Sequence, residues 1–433
     1  MKVLGIITEY NPFHNGHKHH IKEAKKITGA DYVIAVMSGD FVQRGTPAII
    51  SKYDRSLMAL NNGVDLVLEL PICYATGSAQ YFALGAVALL NGLGIVDYIC
   101  FGSESGNIKV LEEAAKLFIN PTESFQNLLY SYIREGFTYP AARAKATEQM
   151  LELDGSPISS DLLEVISEPN NILGIEYIKA LLQLNSSLKP FTIKRHKANY
   201  HDKHISVSNN TNEQANEDLS GVINSATAIR GILENANASS YLTSVIASVP
   251  KNVFDYFINN HCITYPVTIE DFSVLIKYKL MSESSIQLSE YLDLSSDIAD
   301  RIKNTDLQNQ SITELSQTIK TKNITLTRVN RALIHTLLNI KRDTFREYLD
   351  DSIIYYARVL GMKKEASHLI RKIKKFERLP VITKVSRADK QLDTLGMRML
   401  NQDIFATHLY NQNLFDKYKT VIPNEYKHGI CMI

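Results

Sequence analysis

The sequence predicts an α/β protein, a parallel sheet carrying helices, followed by a mostly helical region. Three observations predict it. Short β-branched apolar runs alternate with helical patterns through the first hundred of the 433 residues, the pattern of βαβ units. A turn rich in histidine and glycine follows the first run, at the end of the strand where such sheets bind ligands. Beyond about residue 245 apolar residues recur at helical spacing instead.

Each element has its own reason. "KVLGIITEY" is short, apolar and β-branched, as a strand buried on both faces must be. The same texture returns in "DYVIAVMSG", "DLVLELP" and "VDYICFGSE". A helix is expected after Gly16, through "HKHHIKEAKKI". A second begins beyond Ser51, a suitable N-cap, and runs through "KYDRSLMALNNG" to a glycine stop. "SAQYFALGAVALLNG" is a third. After residue 245, "VFDYFINN", "DFSVLIKYKLM", "LTRVNRALIHTLLNI" and "YYARVLGMKKEASHLIRKIKKFE" have helical spacing. The expected division is therefore 1–245 and 246–433.

Composition bounds the function. Hydrophobic residues make up 45% and charged residues 21%, the values of an ordinary globular protein. A net charge of +1 gives no global field that forces a nucleic-acid partner, although local patches can. Cys73, Cys100, Cys262 and Cys431 are far apart and form no CxxC pair, which reads as reduced thiols and a cytoplasmic protein. No secretory signal and no run of ~18 apolar residues is present, so no membrane span is expected.

The turn "EYNPFHNGHKHH" holds His14, His17, His19 and His20. Metal ligation, phosphate ligation and a merely polar turn compete to explain it. His14 and His17 have a possible ligand spacing, but no Cys or acid completes a metal set nearby, and no metal site is expected. A helix start presents unpaired N–H groups and a positive dipole end. Gly16 permits close backbone approach, and two imidazoles add donors. "HNGH" after a first strand resembles the HxGH signature of the nucleotidyltransferase superfamily. Downstream, "NSATAIRGIL" resembles its SxTxxR motif, with Ser225, Thr227 and Arg230. Ser225 can cap that helix while Arg230 reaches back as a fork for phosphate oxygens; the alternative is an ordinary capped helix with a surface arginine.

The resemblance narrows with "GIITEYNPFHNGHKHH", "SGDFVQRG", "NGVDLVLELP", "FGSE" and "PNNILGIEYIKAL". Taken in order, these are similar to the tRNA(Met) cytidine acetate ligase family. The resemblance implies a Rossmann-like HxGH nucleotidyltransferase domain over 1–245 and a helical, partly basic, tRNA-binding domain over 246–433. It implies that acetate is activated by ATP, with Mg2+ as counter-ion. The acetyl group then passes to N4 of the wobble cytidine of elongator tRNA(Met), giving N4-acetylcytidine. His14, His17, Ser225 and Arg230 would be catalytic. The ATP-binding segment would be Ile7, Thr8, Glu9, Tyr10, Asn11, Pro12, Phe13, His14, Asn15, Gly16, His17, Lys18, His19 and His20, joined by Gly102, Asn170 and Arg195. Asp40 ranks lower, as a group that could orient ribose, magnesium or a basic residue. The competing reading is a small-molecule adenylyltransferase of the nicotinamide mononucleotide or phosphopantetheine type, which would share both phosphate motifs.

Two further stretches bear on partners. Residues 204–221 are polar and read as a mobile loop ahead of the second phosphate motif. Residues 361–390 hold ten Lys/Arg against three Asp/Glu, a local +7 dominated by Lys363, Lys364, Arg371, Lys372, Lys374, Lys375 and Arg378. Arg328 and Arg331 add a second basic spot. In a tRNA enzyme such runs are expected to touch the phosphate backbone; otherwise they are solvated faces.

Overall fold

The computed structural model describes residues 1–153, 160–195, 225–235, 243–376 and 378–433. The polar stretch 204–221 lies outside them. One sheet organises the molecule. Its strands are β1 (Val3–Thr8), β2 (Tyr32–Ser38), β5 (Leu66–Leu70), β6 (Tyr98–Ser103), β7 (Lys189–Lys194), β8 (Ala357–Met362), β9 (Val381–Ile382) and β10 (Cys431–Met432). The order is β10-β8-β5-β2-β1-β6-β7, with β9 also paired to β8. A separate hairpin joins β3 (Phe41–Val42) to β4 (Thr46–Pro47).

Strands β1, β2, β5, β6 and β7 are mutually parallel. Their residues alternate between two cores. Val3, Ile34, Val36, Leu66 and Leu68 pack with Phe82, Ala83 and Leu90 of the helix Ala79–Gly92. Leu4, Ile6, Val33, Ala35 and Val67 pack with Ile21 and Ala24 of α1 (Asn15–Thr28). Burial on both faces is why these strands read as unbroken apolar runs. The helix α2 (Lys52–Asn61) starts as expected, with Ser51 accepting the Asp54 N–H at 3.3 Å. The chain leaves β1 toward β2 on one side and returns as β6 on the other. The carboxyl edge between β1 and β6 is therefore the switch point at which such sheets bind ligands.

Two features differ from the sequence reading. "ARVLGM" is not helical: it is β8, wholly buried and antiparallel to β5. A short apolar run fits helix and strand alike until its partner is known. The expected boundary at 245 also does not end the sheet, because β8, β9 and β10 return to it from beyond that point. In addition, four helices fill the crossover from β6 toward β7, namely Ile108–Ile119, Glu123–Arg134, Tyr139–Leu153 and Ser160–Val165. They precede the helix Pro169–Gln183.

Candidate active site

The turn after β1 bends sharply. Tyr10 takes a positive φ of 47° and the Asn11–Pro12 peptide is cis. His14 then caps α1: its Nδ1 accepts the Gly16 N–H at 3.1 Å, and Nδ1 of His17 accepts the His14 N–H at 3.3 Å. The two rings stack with centroids 3.7 Å apart. With each Nδ1 serving as acceptor, the proton of each neutral ring lies on Nε2. Burial, then Arg195 and Arg230, pushes His14 down to about 3. Burial, then His14 and Arg195, also lowers His17 well below the ordinary value. Both rings are therefore neutral near pH 7 and offer Nε2–H donors.

This state has a consequence for stability. An unfolded histidine titrates near 6.5, whereas folded His14 takes its proton only near 3. Between those values the unfolded chain binds more protons, so stability rises with pH and is lost as pH falls, by about 1.4 kcal/mol per unit. In urea titrations between pH 7 and 4, wild type is expected to lose stability more steeply than His14→Gln. Equal slopes would contradict a buried neutral His14.

The second motif folds against the first. Nη1 of Arg230 donates to the Asn11 carbonyl at 2.7 Å and Nη2 to Thr227 Oγ1 at 3.1 Å. Ser225 Oγ accepts the Ala228 N–H at 3.2 Å, capping the helix Ala226–Asn235. Arg195 follows β7, its N–H bonded to the Ser103 carbonyl at 2.9 Å. Gly102 makes room for that side chain: a Cβ there would lie 3.1 Å from Cγ of Arg195.

These groups line one cleft of about 1070 Å³, large enough for a nucleotide and a second reactant. Ile7, Thr8, Glu9, Tyr10, Asn11, His14, Gly16, His17, His19 and His20 face it, as do Gly102, Asn170, Arg195, Ser225 and Arg230. Pro12, Phe13, Asn15 and Lys18 of the same run do not. Pro12 and Phe13 are buried, Asn15 bonds the Ala247 carbonyl at 2.9 Å, and Lys18 is exposed. Burial, then Arg195, pushes His20 down to about 4.

Some functional residues were not visible in the sequence. Glu104 occupies the N-terminus of the helix Pro169–Gln183. It accepts the Asn170 N–H and Nδ2–H at 3.2 and 2.5 Å and the Asn171 N–H at 2.8 Å. That helix end is thus filled by a carboxylate, whereas the starts of α1 and of the Arg230 helix open on the cleft. Arg55 is fully buried and donates to the carbonyls of Glu9, Ser38, Gly39 and Ile50, so it joins the ends of β1 and β2. Asp40 is buried, accepts the Lys52 backbone N–H at 2.9 Å and lies 3.9 Å from the Lys52 ammonium.

The basic regions are not at the cleft. The helix Ser367–Phe376 packs at the amino ends of the strands. His368 meets Tyr32 with centroids 4.8 Å apart, Lys372 Nζ is 3.2 Å from Met1 Sδ, and Phe376 presses on Gly94. One strand length, about 20 Å, separates those ends from the carboxyl edge. Arg331 is paired with Asp293 at 2.7 Å, and Arg328 bonds the Asp293 carbonyl at 3.4 Å. Lys363 is paired with Asp65 at 3.0 Å. Among the described residues no three His, Cys, Asp or Glu side chains converge as a metal group, and no helix is long and apolar enough to cross a membrane.

Neutral imidazole donors and an arginine fork, brought to one turn at the switch point of a parallel sheet, are what a HIGH-type nucleotidyltransferase requires. The profile described as HIGH Nucleotidyl Transferase matches residues 1–424. A tRNA(Met) cytidine acetate ligase from Acetivibrio thermocellus is 39% identical over 411 residues, covering 95% of this chain and 94% of its own. The ligase of that name from Clostridium acetobutylicum is 37% identical over 431 residues, covering 98% and 100%. The crystal structure of Thermotoga maritima TmcAL bound with alpha-thio ATP matches with a TM-score of 0.87 at 29% identity, covering 100% of both chains. The chain belongs to the tRNA(Met) cytidine acetate ligase family.

Proposed function

We propose that this protein is an ATP-dependent ligase that acetylates N4 of the wobble cytidine of elongator tRNA(Met). The observation that carries the reading is the single cleft in which His14, His17, Arg195 and Arg230 converge. In the first step an acetate oxygen attacks the α-phosphorus of ATP and pyrophosphate leaves. No protein nucleophile is needed, because acetate is one. The protein's task is to align two anions and stabilise charge on the phosphate oxygens. The Nε2–H groups of His14 and His17 and the Arg230 fork suit that task. In the second step the cytidine amine adds to the acetyl carbon, the acyl C–O bond breaks, and AMP and a proton are released. Mg2+ fits best as a companion of the triphosphate, since it is ordinarily held by phosphates with one or two carboxylates and the described residues form no protein cage.

Incubation with ATP, labelled acetate and bulk tRNA, followed by nuclease digestion, should give N4-acetylcytidine. Pyrophosphate release into a different acceptor, or no turnover, would overturn the reading. Arg230→Ala is expected to impair adenylation and leave the fold intact. Arg230→Lys should rescue only in part, because an ammonium cannot reproduce the fork that spans Asn11 and Thr227. Wild-type adenylation in Arg230→Ala would remove Arg230 from the mechanism.

A further inference from the structure

The wall of the cleft beyond the phosphate motifs is built by elements that the adenylation chemistry does not use. The β3–β4 hairpin places Gln43 and Arg44 in the lining. Its turn is pressed against the helix Leu326–Leu337: Gly45 has φ +73°, and a Cβ there would fall 2.3 Å from the Arg331 nitrogen. Just before that helix, Asn323 meets the crossover helices, where a Cβ on Gly136 would lie 3.3 Å from its Oδ1. Arg331 lies eight residues, mostly helical, beyond Asn323, a span of about 12 Å.

Two exposed lysines meet at that junction. Lys145 Nζ is 5.0 Å and Lys322 Nζ 5.5 Å from the centroid of the Phe137 ring, and Lys145 is also 5.7 Å from that of Tyr132. They come from the crossover helices and from the helical region, elements far apart in sequence. Among the described residues neither lysine pairs with a carboxylate. Tyr139, two residues beyond Phe137, is 56% exposed. Unpaired cations among aromatic faces are the combination that holds single-stranded nucleic acid: cations take phosphates and rings take bases. The +7 stretch lacks this relation to the cleft, because it lies at the opposite ends of the strands.

We infer that the Phe137–Lys145–Lys322 junction binds the loop of the acceptor RNA next to the nucleotide that enters the cleft. This rests on the proposed RNA substrate. RNA loops offer unstacked bases and bent backbone, which suits a small aromatic and cationic notch better than a duplex does.

The test uses the full-length protein with Lys145→Glu/Lys322→Glu, Phe137→Leu, and Arg371→Glu/Lys372→Glu/Lys375→Glu. Affinity for tRNA is measured across salt concentrations, with tRNA-independent pyrophosphate exchange and thermal melting measured beside it. The double variant is expected to bind at least about 10-fold more weakly and to lower the salt slope by roughly 1.4, two phosphates at about 0.7 each. Phe137→Leu should weaken binding with the slope unchanged, and the triple variant should bind like wild type. If the double variant melts early, Lys145→Gln and Lys322→Gln singly carry the same expectation at about half the slope change. Wild-type affinity in the double variant, or loss of binding in the triple variant alone, overturns the inference. Failure of wild type to acetylate RNA overturns the proposed function instead, and the binding series still decides this one. A wild type that binds no tRNA overturns both.

Discussion

Replacing His14 or His17 with alanine is expected to lower acetyl-adenylate formation by roughly 10–1,000-fold, the scale of losing one donor aimed at developing charge. Each ring's Nδ1 is held by a backbone N–H within its own turn. Its proton lies on Nε2, and burial keeps the ring neutral. A neutral, fixed donor needs no reorganisation when negative charge grows on phosphorus oxygens. His14→Ala also removes the N-cap of α1, which costs about 1 kcal/mol of stability, so melting should be recorded beside the rate. His17→Ala leaves the Nδ1 cap of His14 in place and is the cleaner probe. Adenylation within twofold of wild type in His17→Ala would refute the role. So would stoichiometric, tightly bound zinc in the purified protein, since it would return the turn to the metal reading.

Lys52→Met is expected to destabilise the fold by about 3–5 kcal/mol, the cost of stranding a buried charge. Lys52 is completely buried. Its ammonium donates to Glu69 at 2.9 and 3.1 Å, to Thr407 at 2.7 Å and to Glu425 at 3.1 Å. Arg358 completes a quartet, pairing Glu69 at 2.9 Å and also Glu425. Burial alone would raise the Glu69 carboxyl, but Arg358 and Lys52 outweigh it and hold it below the usual range. Two cations thus face two carboxylates, with Asp40 a further 3.9 Å from Lys52, and removing Lys52 leaves a net buried negative charge. The quartet ties β5 and β8 to the segment before β10, so urea unfolding should show loss of the whole cooperative unit. A change under 1 kcal/mol would mean that water reaches the quartet.

How much of this was legible depends on sequence separation. Strands β1, β2, β5 and β6 were readable because burial on both faces leaves a continuous apolar run. The HxGH turn was readable because its donors lie three residues apart on one helix start. Arg230 could be picked out, but its bond to Asn11 spans 219 residues and no local pattern announces it. Glu104 and Arg55 were missed for the same reason: each serves the site by holding distant backbone groups. Arg371 and its neighbours stood out by charge alone, which says nothing about which end of the sheet they face.

By itself the sequence determined the α/β alternation, the HxGH turn and the capped second helix, because each is set by spacing within a few residues. The tertiary structure decided three other things. It made "ARVLGM" a strand by offering β5 as a partner, and it buried Lys52, Glu69, Arg358 and Glu425 as one ion-paired group. It also chose the cations that face the cleft. The physical reason is shared: strand pairing, charge neutralisation and solvent exposure are properties of groups brought together across hundreds of residues.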